Sequence, residues 1–483
     1  MQDINNINNI TIDTPSLILE YLKSLQQPRI SEKNKNGEVL TPPHMIDDSL
    51  DQLDAHYKKC NDSKGIFSIP SLRWFEPSVG IGNFMIVIFQ RLMDGLVYYF
   101  PDKENRKRHI LEKMLFMSEL NVNNVETCKG IFKADVYNLN IFAGDTLSLD
   151  IGREWNVDKF DVIIGNPPYN SNGIKHIGNK NIYVGFVNKA LSILKPSGYL
   201  CYLHPPTYRI PYHKIQHTGV DLNAIYTNLQ IIYIRMFPIT SILKMMSVMM
   251  NIDCIIIKNE RNNNANDNNA NNTLIIDTKN IQHVVKIRPH DFIPNYGINI
   301  MNKIKNKYIS NIGNVQLHLD SQMHAQCIKK NNQTDANARE QPIKNVHGIT
   351  AKGIKILLSY GEKQHKYYTR SKIIINGIGS HNYVLYDKNG IYGITQSPLY
   401  ILTPDNNTIQ MVMSRLFHYI SNATKIIGNN YAKETEQFLP MIPSEISIAS
   451  EKDLYDYFEF SADEINEINV STIPLYANVE IIT

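Results

Sequence analysis

Asp161-Val162-Ile163-Ile164-Gly165-Asn166-Pro167-Pro168-Tyr169 is a short apolar run that breaks, at a glycine, into a carboxamide, two prolines and a tyrosine. The run predicts a buried strand, because its β-branched residues fit a pleated surface and do not alternate with polar ones. The prolines end it, since each lacks the N–H that a sheet ladder needs and fixes its own backbone. The strand therefore gives way to a stiff, polar turn. A carboxamide oxygen and a backbone carbonyl held rigid there can accept both hydrogens of an amino group on a flat ring, which draws the nitrogen lone pair out of the ring. The tyrosine offers a face on which such a ring can stack. Asn166, Pro167, Pro168 and Tyr169 are the candidate catalytic residues.

Outward from this stretch, short apolar runs recur between amphipathic segments: Leu72 to Phe75, Met114 to Met117, Ile141 to Ala143 and Tyr199 to Leu203. Strands alternating with helices predict an α/β doubly wound, Rossmann-like sheet, whose ligands lie at the carboxyl ends of the strands. One such end reads Phe75-Glu76-Pro77-Ser78-Val79-Gly80-Ile81-Gly82-Asn83-Phe84, a strand entering a glycine turn and then an apolar helix. The third glycine of a dinucleotide fingerprint is missing. Glu76 would repel a pyrophosphate but suits an ammonium, which S-adenosyl-L-methionine carries together with an activated methyl. Glu119 and Asp145 close two later strands, where carboxylates can accept ribose hydroxyls and an adenine amino group.

The chain has 483 residues, more than one ordinary core accommodates, and two domains are expected. Residues 14 to 27 have helical spacing, and 259 to 272 are Asn-rich with almost no apolar residues. The expected organisation is a helical extension over 1–36, a catalytic domain over 37–258, a linker over 259–275 and a mixed α+β domain over 276–483. Net charge is only +3, so any basic surface is local. Between 341 and 380 lie seven Lys or Arg against the single acid Glu362, with Tyr360, His365, Tyr367 and Tyr368 among them. Such a stretch suits phosphate contact, and Lys352, Lys355, Lys363, Lys366, Arg370 and Lys372 are the candidate DNA-binding residues. Five scattered cysteines without a CxxC pair argue against a disulfide framework and a zinc site, and the expected metal count is none. With no signal peptide and no long uncharged apolar run, a soluble cytoplasmic or other intracellular protein is expected, without a membrane partner.

Set in order, Gly37-Glu38-Val39-Leu40-Thr41-Pro42-Pro43, the Phe75 to Phe84 turn, Ser118-Glu119, Gly144-Asp145, Asn166 to Tyr169 and Tyr183 to Gly198 resemble the gamma class of adenine-N6 DNA methyltransferases of Type II restriction-modification systems. The resemblance covers residues 37 to about 258. It implies that Glu38, Thr41 and Pro42 close over the methionine end of the cofactor, that Glu76 and Pro77 face its ammonium, and that Gly80 and Gly82 lie beneath it. It assigns Glu119 to the ribose, Asp145 to the cofactor's adenine, Asn166 to Tyr169 to the target adenine, and Phe186 and Phe237 to the target pocket. It further implies a C-terminal target-recognition domain, double-stranded DNA as partner and a separately encoded restriction endonuclease. Two departures stand out. The chain between Gly80 and Glu119, which holds Arg106-Lys107-Arg108, is longer than a compact strand-helix-strand step needs, and Thr146 stands where related enzymes often have an aromatic. A glutamine-N5 protein methyltransferase, an RNA adenine methyltransferase and a non-catalytic DNA-specificity protein remain alternatives. The first leaves Gly37 to Pro43 and the basic stretch without a role.

Overall fold

The computed structural model describes residues 10–14, 17–18, 40–169, 181–215, 218–262, 272–307, 312–319, 342–350, 353–359, 365–376, 383–426 and 433–472. The chain divides into two compact units, Met1–Phe292 and Ile293–Thr483.

In the first unit the elements run α1 (Pro43–Cys60), β1 (Trp74–Glu76), α2 (Asn83–Gly95), α3 (Lys103–His109), β2 (Leu115–Glu119), α4 (Val122–Ile131), β3 (Asn140–Ala143), α5 (Ile151–Trp155) and β4 (Phe160–Gly165). Then come α6 (Tyr183–Ile193), β5 (Leu194–His204), α7 (Leu222–Thr227), β6 (Leu229–Phe237), α8 (Ile239–Met246), β7 (Ile252–Arg261), β8 (Asn272–Ile276) and β9 (Gln282–Lys286). The strands form one nine-stranded sheet in the order β3-β2-β1-β4-β5-β7-β6-β8-β9. Strands β1 to β5 are mutually parallel. Their central members are apolar on both faces, as a sheet covered on both sides requires: Trp74, Phe75, Val162, Ile163 and Ile164 are all fully buried. Strand β7 runs against both β5 and β6, so β6 again runs with β5 and ends, at Phe237, on the same edge of the sheet as β4.

The strand order reverses between β1 and β4, and a crevice opens outside the carboxyl ends of strands at such a reversal. Those ends are Glu76 and Gly165-Asn166. The long step between Gly80 and Glu119 is filled by α3 and a single π-type turn, Ile110–Met114. Asp102 caps α3 by accepting from Asn105 N–H. Of its basic run, Arg106 and Lys107 are turned into the fold, whereas exposed Arg108 pairs with Glu112 at 2.9 Å. Lys107 is buried and donates to Asp13 and Glu104, and Arg106 donates to the Phe100 carbonyl at 2.6 Å.

The Asn-rich stretch 263–271 lies outside the described residues, but the boundary expected at 258/259 is moved. Strands β8 and β9 continue the sheet, with β8 pairing β6 in parallel, so the first unit runs on to Phe292. Apolar Leu274, Ile275 and Ile276 explain this, since they gain more from the sheet than a linker would. The expected 14–27 helix is described only at 17–18.

The second unit contains α9 (Ile298–Asn306), β10 (His318–Leu319), β11 (Ile343–Thr350), β12 (Gly353–Ser359), β13 (Lys372–Ile375), β14 (Val384–Asp387), β15 (Gly393–Ile394) and β16 (Leu399–Leu402), followed by α10 (Asn406–Met413), α11 (Arg415–Thr424), α12 (Glu451–Tyr457) and α13 (Ala462–Ser471). Two small sheets, β10-β16-β13-β14 and β12-β11-β15, share a core of Val346, Ile349, Ile374, Leu385, Tyr392, Ile394 and Tyr400. This is the mixed α+β arrangement expected from the sequence. Capping boxes at Ser450/Asp453 and Ser461/Glu464 start the last two helices.

Candidate active site

Glu76 ends β1 and is buried, and among the described residues its Oε2 has no hydrogen-bond partner. Burial, reinforced by the nearby Glu119 charge, holds its carboxyl well above the usual range, and the Met85 N–H in the first turn of α2 only partly offsets this. An unpaired carboxylate oxygen in such a place suits a cation. The turn after it is shaped by glycine. Gly80 has φ +56 and Gly82, which starts α2, has φ +94; a Cβ on Gly82 would meet Phe132 at 3.1 Å, whereas Gly80 faces open space. The backbone at Gly80 is thus left bare on one side and tied on the other.

The tie is Glu119. Its Oε2 accepts the Gly80 N–H and its Oε1 the Asn121 N–H, both at 2.8 Å, so the ends of β1 and β2 are joined by a carboxylate whose oxygens keep lone pairs for further donors. The residue after it, Leu120, is 68% exposed and gives the turn an apolar lip. Thr146 joins a third strand end. Its hydroxyl donates to the Pro77 carbonyl at 2.6 Å, which leaves Ser118 Oγ to donate to Thr146 at 2.6 Å, and all three groups are buried. The Thr146 hydroxyl thus laces the loops together. Asp145 beside it is exposed and spends one oxygen on Leu147 N–H.

At the end of β4, Gly165 has φ +152, and a Cβ there would lie 3.3 Å from Glu76 Cγ. The next residue, Asn166, is set by three neighbours, two of them from distant parts of the chain. Its amide nitrogen donates to Thr41 Oγ1 at 3.1 Å, its Oδ1 accepts the Tyr169 hydroxyl at 2.6 Å, and its backbone carbonyl accepts from Ser78 Oγ at 3.3 Å. Thr41 also accepts, on its carbonyl, from Asn83 at the start of α2. A hydroxyl donor fixes which end of the Asn166 amide is oxygen. Burial pushes the Tyr169 hydroxyl up, so it remains a donor. Its ring is 7% exposed here, and its visible role is to orient Asn166.

Thus Glu76, Pro77, Gly80, Gly82, Glu119, Asp145, Asn166 and Tyr169 fall on adjoining strand ends or the turns that follow them, with Thr41 and Pro42 just before α1 and Pro167 and Pro168 between Asn166 and Tyr169. Phe186 is buried on α6 and Phe237 is buried at the end of β6, its ring 5.5 Å below the Arg235 guanidinium. Glu38 lies outside the described residues. The hydroxyls of Ser78, Ser118 and Thr146 were not singled out by the sequence. A small polar residue carries no signal of a partner far along the chain.

In the second unit Lys355 is exposed on β12, and exposed Lys366 and Arg370 sit over the Tyr367 ring at 4.9 and 5.7 Å. Lys352 and Lys363 lie outside the described residues. Lys372 is a correction. It is fully buried, its Nζ donates to Asp387 Oδ2 at 2.7 Å and to the Tyr368 and Arg370 carbonyls, and no phosphate can reach it. In strand register Lys372 sits opposite Asp387, so the pair closes one end of the β13–β14 ladder.

Among the described residues no helix is long and apolar enough to cross a membrane. Residues 95–215 match the family described as Eco57I restriction-modification methylase. Over 81 residues the chain is 37% identical to an uncharacterized adenine-specific methylase of Mycoplasma pneumoniae, a match spanning 17% of this chain and 18% of that protein's length. The Type IIL restriction-modification enzyme MmeI, solved in complex with DNA, is similar over 90% of this chain and 72% of its own, at a TM-score of 0.53 and 10% identity. The ATP-dependent Type ISP restriction-modification enzyme LlaBIII, solved bound to DNA, is similar over 93% of this chain and 40% of its own, at a TM-score of 0.50 and 12% identity. At these identities the structural likeness is one of fold, a Rossmann-like α/β sheet with a second, mixed α+β unit. The resemblance drawn from the motifs therefore holds: the chain is similar to adenine-specific methylases of restriction-modification systems, and residues 95–215 carry the match to the Eco57I methylase family.

Proposed function

We propose that the chain is a site-specific DNA methyltransferase that transfers a methyl group from S-adenosyl-L-methionine to the N6 amino group of an adenine turned out of the duplex. The observation that carries this reading is the pairing, at one reversal of strand order, of an orphaned buried carboxylate oxygen on Glu76 with an Asn166 amide oxygen held in place by Tyr169. The residues present fit the cofactor. Glu76 takes the ammonium, Glu119 the ribose hydroxyls and Asp145 the adenine amino group, while bare Gly80 allows close approach and Leu120 offers an apolar surface. When bound, S-adenosyl-L-methionine supplies a methyl on a sulfonium, already activated for transfer.

The chain's own task is to make a weak nucleophile reactive. Asn166 Oδ1, already accepting one hydrogen bond from Tyr169, accepts a second from the target amino group, and the stiff Pro167-Pro168 backbone presents a carbonyl to the other hydrogen. Asn166 is not a base, and the surplus proton leaves to solvent after transfer. Turning the adenine out of the stack costs a few kcal/mol, offset by these bonds and by stacking against Tyr169, with Phe186 and Phe237 lining the pocket. Lys355, Lys366 and Arg370 of the second unit contact phosphates, and a separately encoded restriction endonuclease is the expected functional partner.

Asn166→Ala tests the reading. Calorimetric binding of S-adenosyl-L-methionine is expected to persist while methyl transfer falls by a factor of about 10² to 10³, the scale for losing one preorganised group. Full activity of Asn166→Ala sinks it. Mapping N6-methyladenine in host DNA after expression then gives the modified motif, and absence of any such base on active protein would favour a protein or RNA substrate.

A further inference from the structure

Tyr212 and His290 form a parallel ring stack, with centroids 4.7 Å apart and planes 8° apart. The pair belongs to the first unit and includes no residue of the candidate active site. Tyr212 is 74% exposed, so its ring buries little on folding. Both residues have left-handed backbone, φ 58 at Tyr212 and φ 63 at His290, a region that bulky L side chains rarely adopt and that marks a contact enforced by its surroundings.

The surroundings are specific. Tyr212 follows the short helical turn Pro206–Arg209, which leaves the carboxyl end of β5, the neighbour of the strand that ends at Asn166. His290 is fixed from below by its N–H donating to Thr227 Oγ1 at 3.1 Å. Asn223, in the first turn of α7, donates to both the Tyr208 and Asp291 carbonyls, at 2.8 and 2.9 Å, and so clamps the two loops together. Among the described residues the buried His290 Nδ1 has no hydrogen-bond partner, so the stack with Tyr212 is the contact that sets the ring plane. Lys214 and Arg288, each two residues from one ring, are exposed.

An exposed aromatic face backed by a second ring, with an exposed cation two residues along the chain from each ring, is the kind of arrangement that takes a nucleobase and its phosphates. We propose that the Tyr212–His290 stack is a shelf for an unpaired nucleobase of the DNA, separate from the pocket that holds the target adenine. The proposal rests on the methyltransferase reading, and its test separates the two.

The probe is a fluorescein-labelled duplex carrying one unpaired adenine, compared with the fully paired duplex by anisotropy. The wild type is expected to bind the unpaired-base duplex more tightly. Tyr212→Ala loses about 10-fold on that duplex, the scale of one base stacked on an aromatic ring, and little on the paired one. Tyr212→Phe keeps the ring and retains the affinity. Calorimetric affinity for S-adenosyl-L-methionine stays unchanged in both variants, which reports an intact fold. Equal binding of Tyr212→Ala and wild type overturns the shelf, as does an equal loss in Tyr212→Phe. A wild-type protein that binds neither duplex overturns the DNA reading itself, before any variant is compared.

Discussion

Glu76 in the first unit and Lys372 in the second are both ionisable groups taken out of water, and the protein treats them in opposite ways. Lys372 meets a carboxylate and two carbonyls, and its partner Asp387 also accepts the Ile391 and Tyr392 N–H groups at 2.9 and 3.1 Å. Among the described residues Glu76 meets one amide, and one of its oxygens has no partner. The first charge is closed within the fold, and the second keeps an acceptor in reserve. A buried charge is therefore evidence for function only after its partners have been counted.

The contrast is broken most severely at Asp387. Asp387→Ala leaves Lys372 buried and unpaired and is expected to destabilise the second unit by about 3–5 kcal/mol in denaturant unfolding. Adding Lys372→Met should recover part of that loss, because it removes the buried unpaired ammonium and leaves as cost the Ile391 and Tyr392 N–H groups and the Tyr368 and Arg370 carbonyls without these partners. A loss below about 1 kcal/mol in Asp387→Ala, no more than a surface pair is worth, would show that Lys372 reaches solvent after all.

Glu76→Gln should move stability the other way. Because the folded carboxyl lies above its ordinary value of 4.5, the native state holds more protons than the unfolded one above that pH. Stability of the cofactor-free chain then falls as pH rises from about 4.5, until the group has ionised in both states. Glu76→Gln removes this slope and should stabilise the free protein by about 1–3 kcal/mol at pH ~8, the usual penalty for a buried unsatisfied group. The same variant should bind S-adenosyl-L-methionine at least ~10-fold more weakly by calorimetry, the scale of a lost charge-assisted hydrogen bond. A destabilised Gln variant with unchanged affinity would make Glu76 a structural acid like Asp387.

The smallest effects are expected at the exposed cations. Lys366→Ala and Arg370→Ala should each weaken DNA binding uniformly across sequences and lower the salt slope of log K by about 1, measured by anisotropy at several ionic strengths. Lys372→Met should leave that slope unchanged while lowering the melting temperature.

Much of the first unit is legible because its signals are local. An apolar run followed by Asn-Pro-Pro-Tyr announces a strand end wherever it occurs, and Glu76, Gly80 and Glu119 sit at similar breaks in pattern. The supports are not legible. Thr41 reaches Asn166 across 125 positions and Thr146 reaches Pro77 across 69, and nothing in a threonine's immediate neighbourhood foretells either bond. Lys372 is hidden for a related reason. In the chain it is one more lysine in a basic stretch, and only the antiparallel register that sets it opposite Asp387 removes it from the surface. Composition also misplaces the unit boundary: an Asn-rich stretch reads as the end of a domain, whereas Leu274 to Ile276 return the chain to the same sheet.

The lacing of the strand ends through Thr146 has a consequence for how the protein breathes. The Val79 N–H is bound to the Ser118 carbonyl, the Gly80 N–H to Glu119, and the Gly144 N–H to the Glu119 carbonyl, so three loops share one set of closures. None can open by itself without exposing the buried hydroxyls of the others. Their amide hydrogens should therefore exchange with solvent together and slowly, at a rate set by a common opening rather than by separate loop fluctuations. Thr146→Val keeps the side-chain shape but removes the lace, and would let the three exchange independently.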